Sequence, residues 1–345
     1  MINRLVWAKQ TFIAAKSDRL FGIVGLAILI VAGMIIGTFF LFGSVGEVSP
    51  LQTEVDVEVV AAPVIYPWVE QAAQQFNQAN PKTQVSVIEA TELIPESKFR
   101  TAAAQPPPVA WIAEAGFVVE LAKNKGLAFD DPQPVAGSDL AWGAYTDKLE
   151  QLTQSYGDLS WDSLHTKATS PDGLKLVISS PQNTAEGIAA LISATAFAAN
   201  AEAISSGDVS SANNWLTDTF GDHNATVPPT PAQSFASVQG RTLGDVGLLS
   251  MVSWRSAKLD QNPNFTLLPV EPAVTLDFPM AIWTGSRATP EMQAAAHAFR
   301  DFLLESSQQS QLTAYGLEPA AGQSGVQADG STADRLQAWA TRVLR

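Results

Sequence analysis

Residues 21–43 form a run of 23 residues without a single charge, and the rest of the 345-residue chain reads as a water-soluble globular unit. A helix that spans a bilayer needs about 20 apolar residues, whereas the apolar core of a secretory signal has about 7 to 15, so the run is long enough to stay in the membrane. Arg4, Lys9, Lys16 and Arg19 precede it against Asp18 alone, and Glu47, Glu54, Asp56 and Glu58 are the first charges after it. The positive-inside rule then puts residues 1–20 in the cytoplasm and everything after the span outside it. A cleaved signal peptide is the competing reading. No Ala-x-Ala site closes the run, and a chain without cysteine has no lipid-modified one. The expectation is a single-pass cell-membrane protein with an anchor at 21–43 and a short linker at 44–54.

Hydrophobic residues make up 46% of the chain, enough for a substantial core, and the length beyond the anchor suits one large or two medium lobes. Without cysteine there is no disulfide and no thiolate metal site, so an extracytoplasmic domain must be stable through its own packing. The net charge of −14 opposes nucleic-acid binding, which requires a basic footprint.

Val55, Val57 and Val59 alternate with Asp56 and Glu58, the signature of a strand. Val69, Ala72, Ala73 and Phe76 follow at helical spacing until Asn80 and Pro81 stop the helix, and Val85, Val87 and Ile88 make a second strand. Such a βαβ unit joins parallel strands, so the class is α/β with helices covering a parallel or mixed sheet. A helix at 97–104, a buried strand at 109–113 and a helix at 117–123 continue the alternation. Residues 126–157 are rich in Pro, Gly and Asp with weak periodicity, which suits a crossing between lobes. A second α/β run holds a strand at 174–179, a helix at 188–199 with Thr184 as N-cap, and strands at 246–249, 265–270 and 280–283. Helices at 292–304 and 306–315, a flexible linker at 322–330 and a terminal amphipathic helix close the chain.

Four segments in this order resemble the extracellular solute-binding proteins of bacterial ABC transporters, in the two-lobed type II class that includes molybdate-like binders. They are YPWVEQAAQQFNQANPKTQVSV (66–87), PPPVAWIAEA (106–115), SWDSLHTKATSPDGLKLVISSPQNTAEGIAAL (160–191) and AAAHAFRDFLLESSQQSQLTAYGLEPA (294–320). The chain departs from the family pattern at Ala110, where relatives often have Asp, and at Thr184 in place of Ser. The resemblance implies a two-lobed type II periplasmic-binding-protein-like fold over 55–320, with one lobe at about 55–125 plus 279–320, the other at about 140–264, and a linker and helix at 321–345. It implies no catalysis and no cofactor. Its partners would be a small-molecule ligand of open class, the membrane through the N-terminal helix, and an ABC permease or another membrane protein.

Ligands of such folds sit between the lobes, held by loops after the strands and by helix N-termini, whose free N–H groups suit polar solutes. The matching positions are Ala62, Pro63, Thr91, Glu92, Asn183, Thr184, Gly187 and Asp277, each of which is equally readable as an ordinary loop or cap residue. Glu92 and Glu186 would repel a bare oxyanion, leaving a neutral, cationic or zwitterionic solute at least as well supported. Among the tryptophans, Trp68 and Trp254 are the first candidates for a pocket wall, with the core as the alternative. His165, His223 and His297 have no neighbours at zinc-site spacing, and no Gly-x-Ser-x-Gly elbow or phosphate loop occurs. Two other readings remain: a structural or signalling subunit that kept the fold and docks a membrane partner, and, more weakly, a surface hydrolase.

The charge asymmetry makes a prediction about topology. Protease added to intact spheroplasts should digest the domain beyond residue 43, and protection until lysis would reverse the orientation.

Overall fold

The computed structural model describes residues 54–100, 107–221, 223–321 and 325–344. The expected anchor and the cytoplasmic segment lie outside the described residues, and among those described no helix is long and apolar enough to cross a membrane.

The strands run in chain order as β1 (Val55–Ala61), β2 (Thr83–Glu89), β3 (Pro108–Ile112), β4 (Phe129–Pro134), β5 (Ala136–Tyr145), β6 (Leu176–Ile178), β7 (Ala203–Ile204), β8 (Ala225–Thr226), β9 (Val246–Ser250), β10 (Phe265–Pro269), β11 (Thr275–Leu276), β12 (Pro279–Trp283), β13 (Glu318–Pro319) and β14 (Gln327–Ala328). Two main sheets result, and each is the floor of one lobe. The first has the order β2-β1-β3-β12-β4, and the second β10-β5-β9-β6-β8, with β11 and β13 also pairing to β5. The chain enters the second sheet across Val135, leaves it across Asp277 and Phe278, and returns to its β5 edge at β13.

In the first lobe β1 pairs in parallel with both β2 and β3, Val57 opposite Val85 and Val59 opposite Ala110. Helix Tyr66–Ala79 buries Trp68, Val69, Ala72, Ala73 and Phe76, and Pro67 in its first turn fits where no N–H acceptor is needed. The rings of Phe299 and Phe302, from helix Pro290–Leu303, meet Phe76 edge-on at 5.4 and 5.5 Å. That helix returns from the far end of the sequence to cover β1, β3 and β12.

In the second lobe β6 runs parallel to β9, while β5 is antiparallel to β9 and β10. Helix Ala185–Ala199 is buried continuously from Ala185 to Ala196. A helix buried on every face shows no amphipathic stripe, and ten of the fifteen residues of this one are Ala, Ile or Leu. Trp142 and Trp161 meet at 4.8 Å, and Trp161 Nε1 donates to Ser193 Oγ of that helix at 2.9 Å.

The stretch that read as a weakly periodic crossing contains β4, β5 and helix Thr146–Tyr156. Strand β5 lies between neighbours on both edges and is buried at nine of its ten positions, so it has no polar face to alternate with. Its Gly143 admits the rings of a covering helix and of the neighbouring strand β10: a Cβ there would lie 2.6 Å from Trp254 Cζ2 and 2.8 Å from Phe265 Cε1. The expected helix at 306–315 is two short pieces, Ser306–Gln309 and the 3-10 turn Leu312–Tyr315. The expected flexible linker is paired where it is described, with Gly325 bridged to Val274 and β14 parallel to β7.

Gly143→Val should overpack the Trp254–Phe265 contact and cost about 1–3 kcal/mol of stability. A urea midpoint equal to that of the parent would show that these rings can move aside.

Candidate functional site

The carboxyl ends of β1, β2 and β3 open toward the same edge of the first lobe, because all three strands run parallel. They deliver Ala62, Pro63 and Val64, then Ala90 to Leu93, then Glu114. From the second lobe the end of β6 brings Ser179 and the loop to Asn183 and Thr184, and the end of β9 brings Ser250 and Ser253. Binding at strand carboxyl ends is the general rule of open α/β sheets.

Two adjoining cavities occupy this cleft. One, of about 230 Å³, is lined by Ala62, Pro63, Val64, Ala90, Thr91, Glu92, Leu93, Trp111, Glu114, Asn183 and Thr184. The other, of about 210 Å³, shares Val64, Glu114 and Thr184 and adds Ser179, Glu186, the loop Pro229 to Gln233, Ser250, Ser253, Ser256 and Leu276. Six of the eight sequence-derived positions thus converge on one place: Ala62, Pro63, Thr91, Glu92, Asn183 and Thr184.

The other two lie elsewhere. Gly187 packs against the chain itself, since a Cβ there would stand 2.4 Å from Ser179 O and 2.6 Å from Pro181 N. It needs to be glycine for the approach of strand and helix. Asp277 faces a separate cavity with Gly116 and Phe117, and its Oδ1 accepts from Gly116 N at 2.7 Å, a cap supplied across the fold to helix Gly116–Asn124. Neither candidate tryptophan borders the cleft. Trp68 and Trp254 are buried in the core, with Trp254 Nε1 donating to Ala141 O at 3.0 Å, and the tryptophan that does line the cleft is Trp111.

Thr184 is the N-cap of helix Ala185–Ala199: its Oγ1 accepts from Gly187 N at 3.1 Å and donates to Ser180 O at 2.9 Å. The next free amide, Ala185 N, donates to Glu114 Oε2 at 2.7 Å. Glu114 therefore reaches from the first lobe to a helix terminus of the second. Burial, outweighing the Ala185 hydrogen bond and reinforced by the nearby Glu186 charge, pushes the Glu114 carboxyl from its ordinary 4.5 up to about 7.

Glu186 serves differently. Its carboxylate is buried and accepts from Ser179 Oγ, from Ser250 N at 2.7 Å, from Ser250 Oγ at 2.5 Å and from Ser253 Oγ at 2.6 Å. Three of these donors fall on Oε1 and Ser179 Oγ on Oε2, and together they tie the ends of β6 and β9. Glu114, with its proton in play near neutral pH, is the group that sequence reading missed. It follows the buried strand β3 by two residues, in the position that a strand-end rule applied to residues 106–115 would have marked.

A family model described as bacterial extracellular solute-binding protein matches residues 57–318, three quarters of the chain. The chain belongs to this family. No curated protein matches it. Among solved structures, the fructose-6-phosphate-bound periplasmic binding protein AfuA of Actinobacillus pleuropneumoniae superposes with a TM-score of 0.56 at 16% identity, covering 84% of this chain and 99% of that one. The sulfate-binding protein SubI of Mycobacterium tuberculosis gives 0.56 at 14% identity, over 83% and 91%. Iron-bound HitA of Pseudomonas aeruginosa gives 0.55 at 15% identity, over 83% and 96%. At these identities the likeness is one of fold. The solute-binding protein is thus an α/β, two-lobed, periplasmic-binding-protein-like molecule of a family that binds substrates rather than transforming them.

Thr184→Ala should cost about 1 kcal/mol of unfolding free energy through the lost cap, and an unchanged value would mean that water replaces the hydroxyl. A second prediction follows from Glu114. Its folded pKa lies above the unfolded one, so its contribution to stability is complete below about 4.5 and is lost as pH rises through about 7. Glu114→Gln keeps an acceptor for Ala185 N and cannot ionise. The variant should match the parent near the lower limit and exceed it in stability above the upper one; parallel stability curves would place the Glu114 pKa in the usual carboxyl range.

Proposed function

We propose that this chain is a membrane-tethered, extracytoplasmic solute-binding protein that captures a small cationic or zwitterionic solute between its lobes and presents it to an ABC-type permease or a sensor. The observation that carries the choice of solute is the lining of the cleft. Glu92, Glu114 and Glu186 border it, and among the described residues no Lys, Arg or His does. In addition, the Ala185 amide, which would otherwise be offered to a bound anion, is already bonded to Glu114. A sulfate or phosphate would have to displace that carboxylate and then face it. An ammonium group placed near Glu114 and Glu92 instead gains from both charges, while Thr91, Asn183 and the serines supply hydrogen-bonding groups. The structural neighbours bind ligands as different as a sugar phosphate, sulfate and iron, so the neighbourhood alone does not select a class.

Tethering rests on residues 21–43 and the charge asymmetry around them. One observation favours a second reading, a subunit that kept the fold and docks a membrane partner without a solute: Glu114 makes from within the protein the cross-cleft contact that a ligand would make.

A thermal-shift panel of polyamines, basic and neutral amino acids, sugars, sulfate and molybdate separates the two. A solute at 100 times its dissociation constant adds about 2.7 kcal/mol of stability. A rise in midpoint with an amine-bearing solute and none with the oxyanions supports the proposal. Stabilisation by the oxyanions alone would overturn the solute class, and no stabilisation by any member would favour the docking subunit.

A further inference from the structure

The family match ends at residue 318, and the described chain beyond it runs to residue 344. That extra length touches both lobes. On the second lobe, Val326 N donates to Ala273 O at 2.8 Å, Gln327 N to Glu202 O at 3.1 Å, and β14 lies parallel to β7. Asp329 caps the terminal helix Gly330–Val343 by accepting from Thr332 N at 2.7 Å. Leu336 and Trp339 of this helix are buried, and Trp339 meets the Phe220 ring at 6.0 Å. Gln337 Nε2 donates to Pro181 O at 3.0 Å, at the start of the loop that carries Asn183 and Thr184 into the cleft.

The same helix also packs along helix Gly116–Asn124 of the first lobe. The approach is tightest at Gly330, where a Cβ would come within 2.5 Å of the backbone at Glu120 and Leu121. Beside that contact the lobes do not fill the space between them. A cavity of about 740 Å³ remains there, lined by Gly116, Phe117 and Glu120 on one side and by Ala203, Ile204 and Gln327 on the other.

We infer that residues 325–344 are an interlobe brace: a segment anchored on the second lobe whose helix start presses on the first, holding the angle between the lobes and so governing opening of the cleft. Hinge closure around a ligand is a common transition in two-lobed proteins, and its hinges are a few residues between elements. Here the chain crosses at Val135 and at Asp277–Phe278. The chain crosses once more between helix Pro290–Leu303 and Gly325, and the brace adds to these crossings a contact made by packing, its helix start returning to the first lobe at Gly330. Release at Gly330 would free the hinge while leaving the hydrogen bonds to the second lobe intact. The significance for solute exchange rests on the solute-binding reading above; the mechanical claim does not.

The test needs no solute. The chain has no cysteine, so Gln74→Cys on the first lobe and Thr166→Cys on the second, both exposed, give two unique spin-label sites. Pulsed electron-electron resonance on the otherwise unaltered protein should show one narrow distance. Gly330→Val should add a second, longer distance, and Gly330→Ala, the milder wedge to use if the bulkier variant loses its helical circular dichroism, should do so to a smaller extent. A parent that already shows two distances, or a folded Gly330 variant whose distribution equals the parent's, would overturn the brace. Neither result bears on the thermal-shift panel, so the two proposals fail independently.

Discussion

The bond from Ala185 N to Glu114 Oε2 spans the cleft, and much of the site's chemistry depends on it. A helix N-terminus exposes amides that need acceptors, and in this fold they point at the space between the lobes. A carboxylate fixed there satisfies the amide, removes an anion seat and puts an ionisable acid in a partly dehydrated place. The cost is visible in its pKa of about 7, far above an ordinary glutamate. The other glutamate of the cleft, Glu186, is surrounded with donors by serines from two strand ends. One carboxylate thus ties strand ends within a lobe, and the other bridges the two lobes.

The strand directions explain why these groups meet at all. Parallel pairing of β1 with β2 and β3 sends three successive loops to one edge, and the parallel pair β6 and β9 does the same from the other side. That convergence requires only the pairing order, which is why positions as far apart in sequence as Ala62 and Thr184 share a cavity wall. The long return of helix Pro290–Leu303 to the first sheet then covers β1, β3 and β12, with Phe299 and Phe302 closing on Phe76.

Much of this was legible in the sequence because local patterns were strong. The alternation in Val55 to Val59, the helical spacing up to Phe76 and the threonine cap at Thr184 each carry their own signal. Strand β5 was hidden because burial on both faces erases alternation, and its glycines, of which Gly143 admits neighbouring rings, look like loop residues. Trp68 and Trp254 were suggested as pocket walls because aromatic residues suit pockets, yet large rings serve cores equally well, and here the core claimed them. Asp277, read as a ligand position, instead caps a helix through Gly116 N and borders a cavity apart from the cleft. Glu114 could not stand out by type or spacing; its importance comes from a contact 71 residues away in sequence.

The central claim is that a positively charged solute binds beside Glu114 and competes with its proton. It is tested most directly by calorimetric titration, near pH 7, of an amine-bearing solute that stabilises the protein, performed in two buffers of different ionisation enthalpy. If the account holds, binding releases a fraction of a proton, so the observed heat depends on the buffer, and this dependence disappears in Glu114→Gln. A heat of binding that is independent of buffer and identical in the two proteins would contradict it.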